Sequence, residues 1–383
     1  MDPDSTQHGR AVAEAPSLAV VIPFHGRRDL LDACLDSVAD LRPAPDEVIV
    51  VADGEDPARL RSVADRGFRL LHIAPRAGAA AARNIGAAAS DAEVVLFVDA
   101  DVVVPPDAVA RVRRVLGARP GLAAVFGSYD DVPAAPGQVS RFKNLLHHWT
   151  HQRSAAIATT FWTGCGAVRR AVFTALGGFD PEQRWLEDVE LGYRLRAAGH
   201  HVELDHSLQV THLKRWTLPS LIVSDIFHRA LPWSEITVRY RRPPRDLNGD
   251  LRGRVSVACA AAVPLFLAAA AVVEPWLAVG AAVAVGALIV VNRGFYRLLS
   301  ASGGLRLAAV GLVLHWLSLL AGGSAYALGM LWWRVAGTRR PATRAPLLDR
   351  SAQDDRNDGP DQPAAPDGGG AESSMPRRRR RTA

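Results

Sequence analysis

Two carboxylates, Asp99 and Asp101, directly follow the apolar run VVLFV at Val94–Val98. Side chains at i and i+2 of an extended chain point to the same side, so both carboxylates face one way. Open α/β sheets place their ligands at the carboxyl ends of buried strands. Aligned carboxylates are hard oxygen donors suited to Mg2+ or Mn2+, ions that bind through one or two carboxylates plus substrate phosphates. Acidic pairs at strand ends also serve as helix caps, so this pair gains weight only from its neighbours. Asp53-Gly54 ends a second apolar run, VIVVADG, and Pro23-Phe24-His25-Gly26-Arg27 ends a first. Arg83-Asn84 lies on the helix ahead of the Asp99 strand, where an arginine can reach a diphosphate. Taken singly, Arg83 reads as a surface ion pair and Asp53 as a turn residue. Converging on one crevice, they read as a site.

Farther along, Gly177-Gly178-Phe179-Asp180 precedes Trp185-Leu186-Glu187-Asp188. Leu191 and Leu195 share one face of a helix that runs to Ala198 and stops at Gly199, which puts Glu187 and Asp188 in its first turn. Acidic residues there complement the helix dipole. They are equally placed to act as a general base on an acceptor hydroxyl. A strand over Val202–Val210 leads to Thr211-His212-Leu213-Lys214-Arg215-Trp216. His212 is either a structural histidine or the group that closes a metal site with Asp99 and Asp101.

The elements that must position these residues alternate between strand and helix. Ser17–Pro23, Glu47–Val51, Arg69–Ile73 and Val94–Val98 are short, continuously apolar strands. Such runs mark a parallel sheet covered on both faces. Leu30–Val38 with Asp29 as N-cap, Pro57–Ala64 and Ala79–Ala89 have helical composition or spacing. The expected fold is α/β, doubly wound.

Beyond residue 216 the composition changes. Residues 217–254 carry aromatics, prolines and arginines, and Leu218, Leu221, Ile222, Ile226 and Ala230 fall near one helical face. An amphipathic helix at a membrane surface and a last soluble helix packed on the domain both fit. Residues 255–333 hold only Glu274, Arg293, Arg297 and Arg306 as formal charges. Three segments there, 255–273, 276–291 and 307–333, are 19, 16 and 27 residues long without a polar stripe. A membrane span needs about 20 residues. Arg252 and Arg254 before the first segment, and Arg293, Arg297 and Arg306 before the third, favour the cytoplasmic side. Three spans then put Arg334, Arg339 and Arg340 outside, against that rule, unless Gly322-Gly323 breaks the last segment. Residues 1–16 carry no apolar leader, which points to a cytoplasmic domain at the inner or plasma membrane. Residues 1–16 and 334–383, the latter ending in a run of arginines, read as disordered termini.

The chain has 383 residues, a formal net charge of +6 and 49% apolar residues, which excludes disorder throughout. Its three cysteines, Cys34, Cys165 and Cys259, form no CxxC pair, so neither a zinc ribbon nor a disulfide framework is supported.

The ordered segments VVIPFHGR, VIVVADG, AAARNIGAAASD, VVLFVDAD, TGCGAVRR, GGFDPEQRWLEDVELGYRLRAAG and THLKRW together resemble the family 2 glycosyltransferases of the GT-A fold. The likeness covers residues 17–216. It implies a Rossmann-like, doubly wound, mostly parallel sheet followed here by a transmembrane helical region. It also implies that Asp53 contacts the nucleotide base, that Arg83 lies near the diphosphate, and that Asp99 and Asp101 serve nucleotide and metal. Asp188 of the Glu187-Asp188 pair would be the catalytic base, and Gly164 and Gly166 would form the acceptor-side wall. Pro23 and Asn84 belong to the same donor-binding segments. At Ala52 many members have a further aspartate. At His212 processive members have a glutamine, although Arg215 and Trp216 match their motif. This departure points away from polymer synthesis and toward histidine as a metal ligand.

The expected activity is metal-dependent, inverting transfer from a nucleotide-diphosphate sugar, UDP by family habit, to a lipid or polyprenyl-linked hydroxyl. Nucleic acid is not an expected partner. A nucleotidyltransferase would place a glycine-rich loop with a lysine after the first strand. Here that site reads FHGRRD, and the only lysines are Lys143 and Lys214. A membrane-anchored nucleotide-sugar-binding protein would lack the Asp99/Asp101 or Glu187-Asp188 pairs. A channel would need polar residues along 255–333, where His315 and Ser318 read instead as a helix–helix contact.

Overall fold

The runs LAVVIPF, EVIVVAD and VVLFV are rich in β-branched residues and apolar at every position but the ends, so they are stable only where both faces are covered. In the computed structural model, which describes residues 15–241 and 250–338, they form the centre of a mixed sheet. The chain runs β1 (Leu18–Phe24), α1 (Arg28–Ala39), β2 (Glu47–Asp53), α2 (Arg61–Asp65), β3 (Arg69–Ile73), α3 (Ala79–Ala88), β4 (Val94–Val98) and β5 (Val102–Val103). It continues through α4 (Ala108–Ala118), β6 (Leu122–Tyr129), α5 (Gln138–Arg153), β7 (Ile157–Ala158), β8 (Cys165–Arg169), α6 (Arg170–Ala175), α7 (Glu187–Ala197) and β9 (His201–His212).

The strand order is β3-β2-β1-β4-β8-β6-β9-β5, with β7 also paired to β9. The first four strands are parallel. β8 lies antiparallel between β4 and β6, and β6 and β9 are parallel again. The sheet is therefore mixed: β8 is reversed inside it, and the two-residue strands β5 and β7 also run antiparallel to β9. Alternation along β1 divides the core. Val20 and Ile22 pack with Leu31, Leu35, Val112 and Leu116 of α1 and α4. Val21 packs with Ala82 of α3 and with Leu191 and Leu195 of α7. Helices thus cover both faces, as the apolar runs require.

Two helix starts differ from expectation. α1 begins at Arg28 with Arg27 in the cap position, so Asp29 sits inside the first turn and pairs with Arg27. The helix expected over Pro57–Ala64 splits into a 3-10 turn, Pro57–Arg59, and α2. Asp56 caps the turn through Ala58 N, and Leu60 leaves helical geometry at φ −112°, ψ 36°.

The remaining elements are α8 (Leu218–Val223), a π-helix (Ser224–Ala230), α9 (Leu231–Tyr240), α10 (Leu251–Val272), α11 (Ala278–Val291) and α12 (Arg293–Ala336). Thr217 and Ser220 form a capping box that starts α8. Of the expected apolar face, Leu221 and Ala230 are buried, Ile222 and Ile226 are half-buried and Leu218 is exposed, as are Val223 and Phe227 beside it. The i→i+5 bonding of the π-helix shifts the face that α-helical spacing would give. Leu221 packs with Phe142 and Leu145 of α5 and with Phe295, Leu299 and Leu307 of α12. Trp233 and Ile236 of α9 pack against Val189 and Tyr193 of α7.

Helices α10 and α12 are long and apolar enough to cross a membrane, whereas α11 is shorter. At 1.5 Å per residue, the 22 residues of α10 reach about 33 Å, enough for a hydrocarbon core of about 30 Å. Only 11% of the most apolar stretch of α10 is buried within the protein, against 28% for α12. The break in α12 falls at Gly303 and Gly304, where Gly304 has φ 70°, and not at Gly322-Gly323. A Cβ on Gly323 would lie 2.5 Å from Val257 Cγ1, so that glycine lets α12 approach α10. Residues 334–336, expected in the tail, continue α12. The expectations for 1–14, 242–249 and 339–383 lie outside the described residues.

Candidate active site

The carboxyl ends of β1, β2 and β4 open on one edge of the sheet, and the side chains singled out there divide into two groups. Asp53, at the end of β2, is buried. Its carboxylate accepts from Ala77 N at 2.6 Å and from Gly78 N at 2.9 Å. Arg76 Nε lies 3.7 Å from it. Asp53 therefore pins the loop that leads into α3. Pro23 pairs with Val51 at the end of β1. Asn84 is also committed to the backbone: its Nδ2 donates to Phe179 O and its Oδ1 accepts from Phe179 N, both at 2.8 Å. This fixes the Gly177-Gly178-Phe179 turn. A Cβ on Gly178 (φ 70°) would meet Asn84 Oδ1 at 2.6 Å.

Arg83 centres the second group. Its Nη2 lies 2.6 Å from Asp99 Oδ1 and its Nη1 2.5 Å from Glu187 Oε1, with the side chain 5% exposed. The ring of Phe179 lies 5.8 Å from the guanidinium carbon. Burial alone would lower the Arg83 pKa, but the charges of Asp99, Glu187 and Asp188 outweigh it and raise the pKa above its ordinary value. One arginine thus ties the Asp99 turn to the first turn of α7. That first turn is set by Leu186, a non-glycine residue in the left-handed region at φ 61°, ψ 33°. Backbone of this kind costs about 1 kcal/mol or more and persists where surrounding structure holds it, often at functional sites. Here Leu186 packs with Trp233 and Ile236 of α9.

Asp188 follows. Its Oδ2 accepts from Thr163 N at 3.3 Å and from Thr163 Oγ1 at 3.4 Å, and its Oδ1 from Val189 N at 2.7 Å. Burial and the adjacent Glu187 charge push its carboxyl up to about 7, with Arg83 opposing. A carboxylate with its pKa near neutrality suits proton abstraction from a hydroxyl.

Asp101 and His212 meet through a two-residue ladder. Val102 of β5 pairs with His212 of β9, and Leu213 N donates to Asp101 O at 2.9 Å. His212 Nε2 then lies 3.4 Å from Asp101 Oδ2. Burial pushes the Asp101 pKa up, but the hydrogen bond and charge of His212, with Lys214, bring it below its ordinary value. Among the described residues no three histidine, cysteine, aspartate or glutamate groups come together as a metal cage. Asp99 is held by Arg83, while Asp101 and His212 form the pair. One carboxylate and one imidazole fit a cation that takes its other ligands from phosphate and water, and the nitrogen donor favours Mn2+ over Mg2+.

The sequence-predicted residues on the other wall are also placed. A Cβ on Gly164 would come within 2.0 Å of the Trp162 ring, and one on Gly166 within 2.1 Å of Trp162 O, so both glycines make room for Trp162. Trp216 exchanges hydrogen bonds with Ser140. Both lysines of the chain lie over its ring, Lys214 Nζ at 4.5 Å and Lys143 Nζ at 5.6 Å. Arg215 is exposed and makes no hydrogen bond or ion pair among the described residues. Sequence reasoning missed Thr163, although it lies inside the TGCG run. It also missed the stacking of Tyr129 on His212 and of Trp185 on His228, the latter with ring centroids 3.7 Å apart.

Residues 19–177 match the family model described as glycosyl transferase family 2. Validoxylamine A glucosyltransferase of Streptomyces hygroscopicus subsp. limoneus is 31% identical over 237 residues, covering 49% of this chain and 50% of that protein. Pre-mycofactocin glycosyltransferase of Mycobacterium tuberculosis is 29% identical over 223 residues, covering 55% of this chain and 46% of that protein. The chain spans about half the length of these relatives. A solved mannosyltransferase of Pyrobaculum calidifontis, in complex with GDP-Man and Mn2+, superposes with a TM-score of 0.51 at 18% identity, covering 83% of this chain and 87% of that one.

Proposed function

The chain carries a glycosyl transferase family 2 domain on a GT-A fold, and from that premise we propose that it is a membrane-anchored, inverting glycosyltransferase. Its donor is a nucleotide-diphosphate sugar and its acceptor a hydroxyl of a lipid or polyprenyl-linked carrier. The observation that carries this reading is the meeting of three functions at one sheet edge. These are the Asp101–His212 pair, the buried Arg83 between Asp99 and Glu187, and Asp188 with its raised pKa.

Asp101 and His212 would hold a divalent cation, which supplies positive charge to the leaving diphosphate. The complex of the Pyrobaculum mannosyltransferase with GDP-Man and Mn2+ supports a donor and cation of this kind. Arg83 holds Asp99 and Glu187 in place and fixes the start of α7 relative to the Asp99 turn. Asp188, aligned by Thr163, accepts the proton of the acceptor hydroxyl as that oxygen attacks the anomeric carbon. Direct displacement needs one base and no carboxylate nucleophile, unlike the paired carboxylates of retaining hydrolases.

Helices α10 and α12, little buried within the protein, support anchorage in a membrane, with α11 as a further apolar segment. Arg252 and Arg254 before the first apolar segment, and Arg293, Arg297 and Arg306 before the last, support a cytoplasmic catalytic domain, whereas Arg334 after the last opposes it when three segments span. Exposed Leu218, Val223 and Phe227 lie on the segment that joins the domain to these helices, where an acceptor embedded in lipid would approach.

The test uses detergent-purified full-length protein, labelled UDP-, GDP- and dTDP-sugars, Mn2+ and total membrane lipid. Label from one donor is expected in the organic phase. Donor that binds but is never consumed would favour a non-catalytic nucleotide-sugar-binding protein. Pyrophosphate release from a nucleoside triphosphate and a sugar phosphate would favour a nucleotidyltransferase.

A further inference from the structure

The π-helix meets α5 through two rungs. Lys143 Nζ lies 2.5 Å from Asp225 Oδ1, and Arg229 Nη1 donates to His147 Nε2 at 3.1 Å. Lys143 and His147 are four residues apart on α5, as are Asp225 and Arg229 on the π-helix, so one face of each helix is engaged. A guanidinium has only donors, so His147 accepts at Nε2 and carries its proton on Nδ1. Burial and the Arg229 charge push the His147 pKa well down, which keeps the imidazole neutral and able to accept.

From His147 the contact passes through rings. His147 lies parallel to Tyr129, with centroids 5.5 Å apart and planes at 5°. Tyr129 lies parallel to His212, with centroids 4.4 Å apart and planes at 12°. Trp162 meets Tyr129 edge-on at 4.8 Å. Among the described residues, the His212 side chain has Asp101 as its polar partner and Tyr129 as its stacked partner. A metal-ligating histidine is usually oriented by a hydrogen bond from its other ring nitrogen. His212 has no such bond among the described residues, so the stack is what fixes its plane.

We propose that Arg229 is a positioning residue for His212, acting through His147 and Tyr129. The segment linking the catalytic domain to the apolar helices thereby sets how firmly the cation is held. This inference rests on the reading of His212 as a cation ligand given above.

The experiment titrates full-length protein in detergent with Mn2+, alone and with UDP or GDP, following free Mn2+ by electron paramagnetic resonance. Orienting partners of metal ligands typically contribute 10–100-fold in affinity. Tyr129 is the direct partner, and His147 and Arg229 act at one and two further removes, so Arg229→Ala and His147→Ala are each expected to weaken Mn2+ binding by about three- to tenfold. Turnover at saturating Mn2+ should stay within about twofold for Arg229→Ala, a split that general loss of structure would not give. Arg229→Lys, which keeps a donor toward His147, should recover most of the affinity, and it carries the test with His147→Ala should Arg229→Ala not fold. Wild-type Mn2+ affinity in Arg229→Ala and His147→Ala, alongside its loss in His212→Ala, overturns the positioning path and leaves the ligand reading standing. Wild-type affinity in His212→Ala overturns the ligand reading and this inference together.

Discussion

Asp53 closes β2 and Asp99 follows β4, on either side of β1 in one sheet, yet the two corners are built differently. At the Asp53 corner the carboxylate accepts from two backbone amides and has Arg76 Nε 3.7 Å away. At the other corner Asp99, Glu187 and Asp188 share a single arginine, and Asp188 is left with a pKa near neutrality. Hydrogen bonding to amides stabilises the charged form and ties down a loop. Burial beside like charge destabilises it and leaves a group ready to take a proton. An aspartate thus anchors a loop at one corner, while at the other the strand-end Asp99 is tied to Arg83 and the raised pKa that the proposed base needs falls on Asp188 of α7.

The largest effect that would sharpen this contrast is expected from Asp188→Asn. Loss of a general base lowers turnover by about 10²–10⁴-fold, while nucleotide binding, measured by calorimetry, should stay near wild type. Folding responds in the opposite sense. A carboxyl whose pKa rises from 3.8 to about 7 on folding adds stability below 3.8 and loses it as pH rises through about 7. The variant's melting temperature at pH 8 should therefore not fall. Near-normal turnover would show that Asp188 is not the base.

Arg83→Met comes next. It strips the one cation from two carboxylates, and removing one partner of a buried ion pair costs about 3–5 kcal/mol. Denaturant unfolding should show a loss of that order. A change below 1 kcal/mol, on the scale of about 0–1 kcal/mol typical of exposed pairs, would mean the bridge is a surface contact. Asp53→Ala is expected to cost about 2 kcal/mol by orphaning the Ala77 and Gly78 amides. If Asp53 instead serves chiefly to contact the nucleotide base, the melting temperature will hold and the KM for donor will rise. The mildest perturbation is a change of pH, read in the profile of kcat. Asp188 works as the carboxylate, so kcat should fall as pH drops below about 7, by about tenfold per unit. A flat profile from pH 8 to pH 5 would count against the base assignment.

The central strands could be read from the sequence because their apolar runs are continuous, whereas β3, RLLHI at the sheet edge, carries exposed Arg69 and His72 among its apolar residues. Arg69–Ile73 and Val94–Val98 have the same limits in the sequence reading and the structure. The reversal of β8 could not be read, because nothing in CGAVR distinguishes its direction. The Asp101–His212 meeting depends on β5, a two-residue strand whose pairing with β9 is a long-range event. Residue type singled out both partners, but spacing could not join them. Asp53 and Asn84 stand out in the sequence as donor-side positions, and their partners in the structure are backbone groups of distant loops, which no side-chain pattern reveals. The break in α12 falls at Gly303-Gly304 because Gly323 is taken up by packing on Val257. Two glycine pairs look alike until their neighbours are known.

The proposed function requires the Asp101–His212 corner to support cation-dependent transfer from a nucleotide-diphosphate sugar. Its most direct measurement is release of free nucleoside diphosphate by full-length protein in detergent, with the productive donor and lipid, as Mn2+ is varied in wild type and Asp101→Ala. Saturable, Mn2+-dependent release is expected in wild type, and none above background in Asp101→Ala at the same Mn2+. Release that is indifferent to Mn2+, or equal in the two proteins, would contradict it.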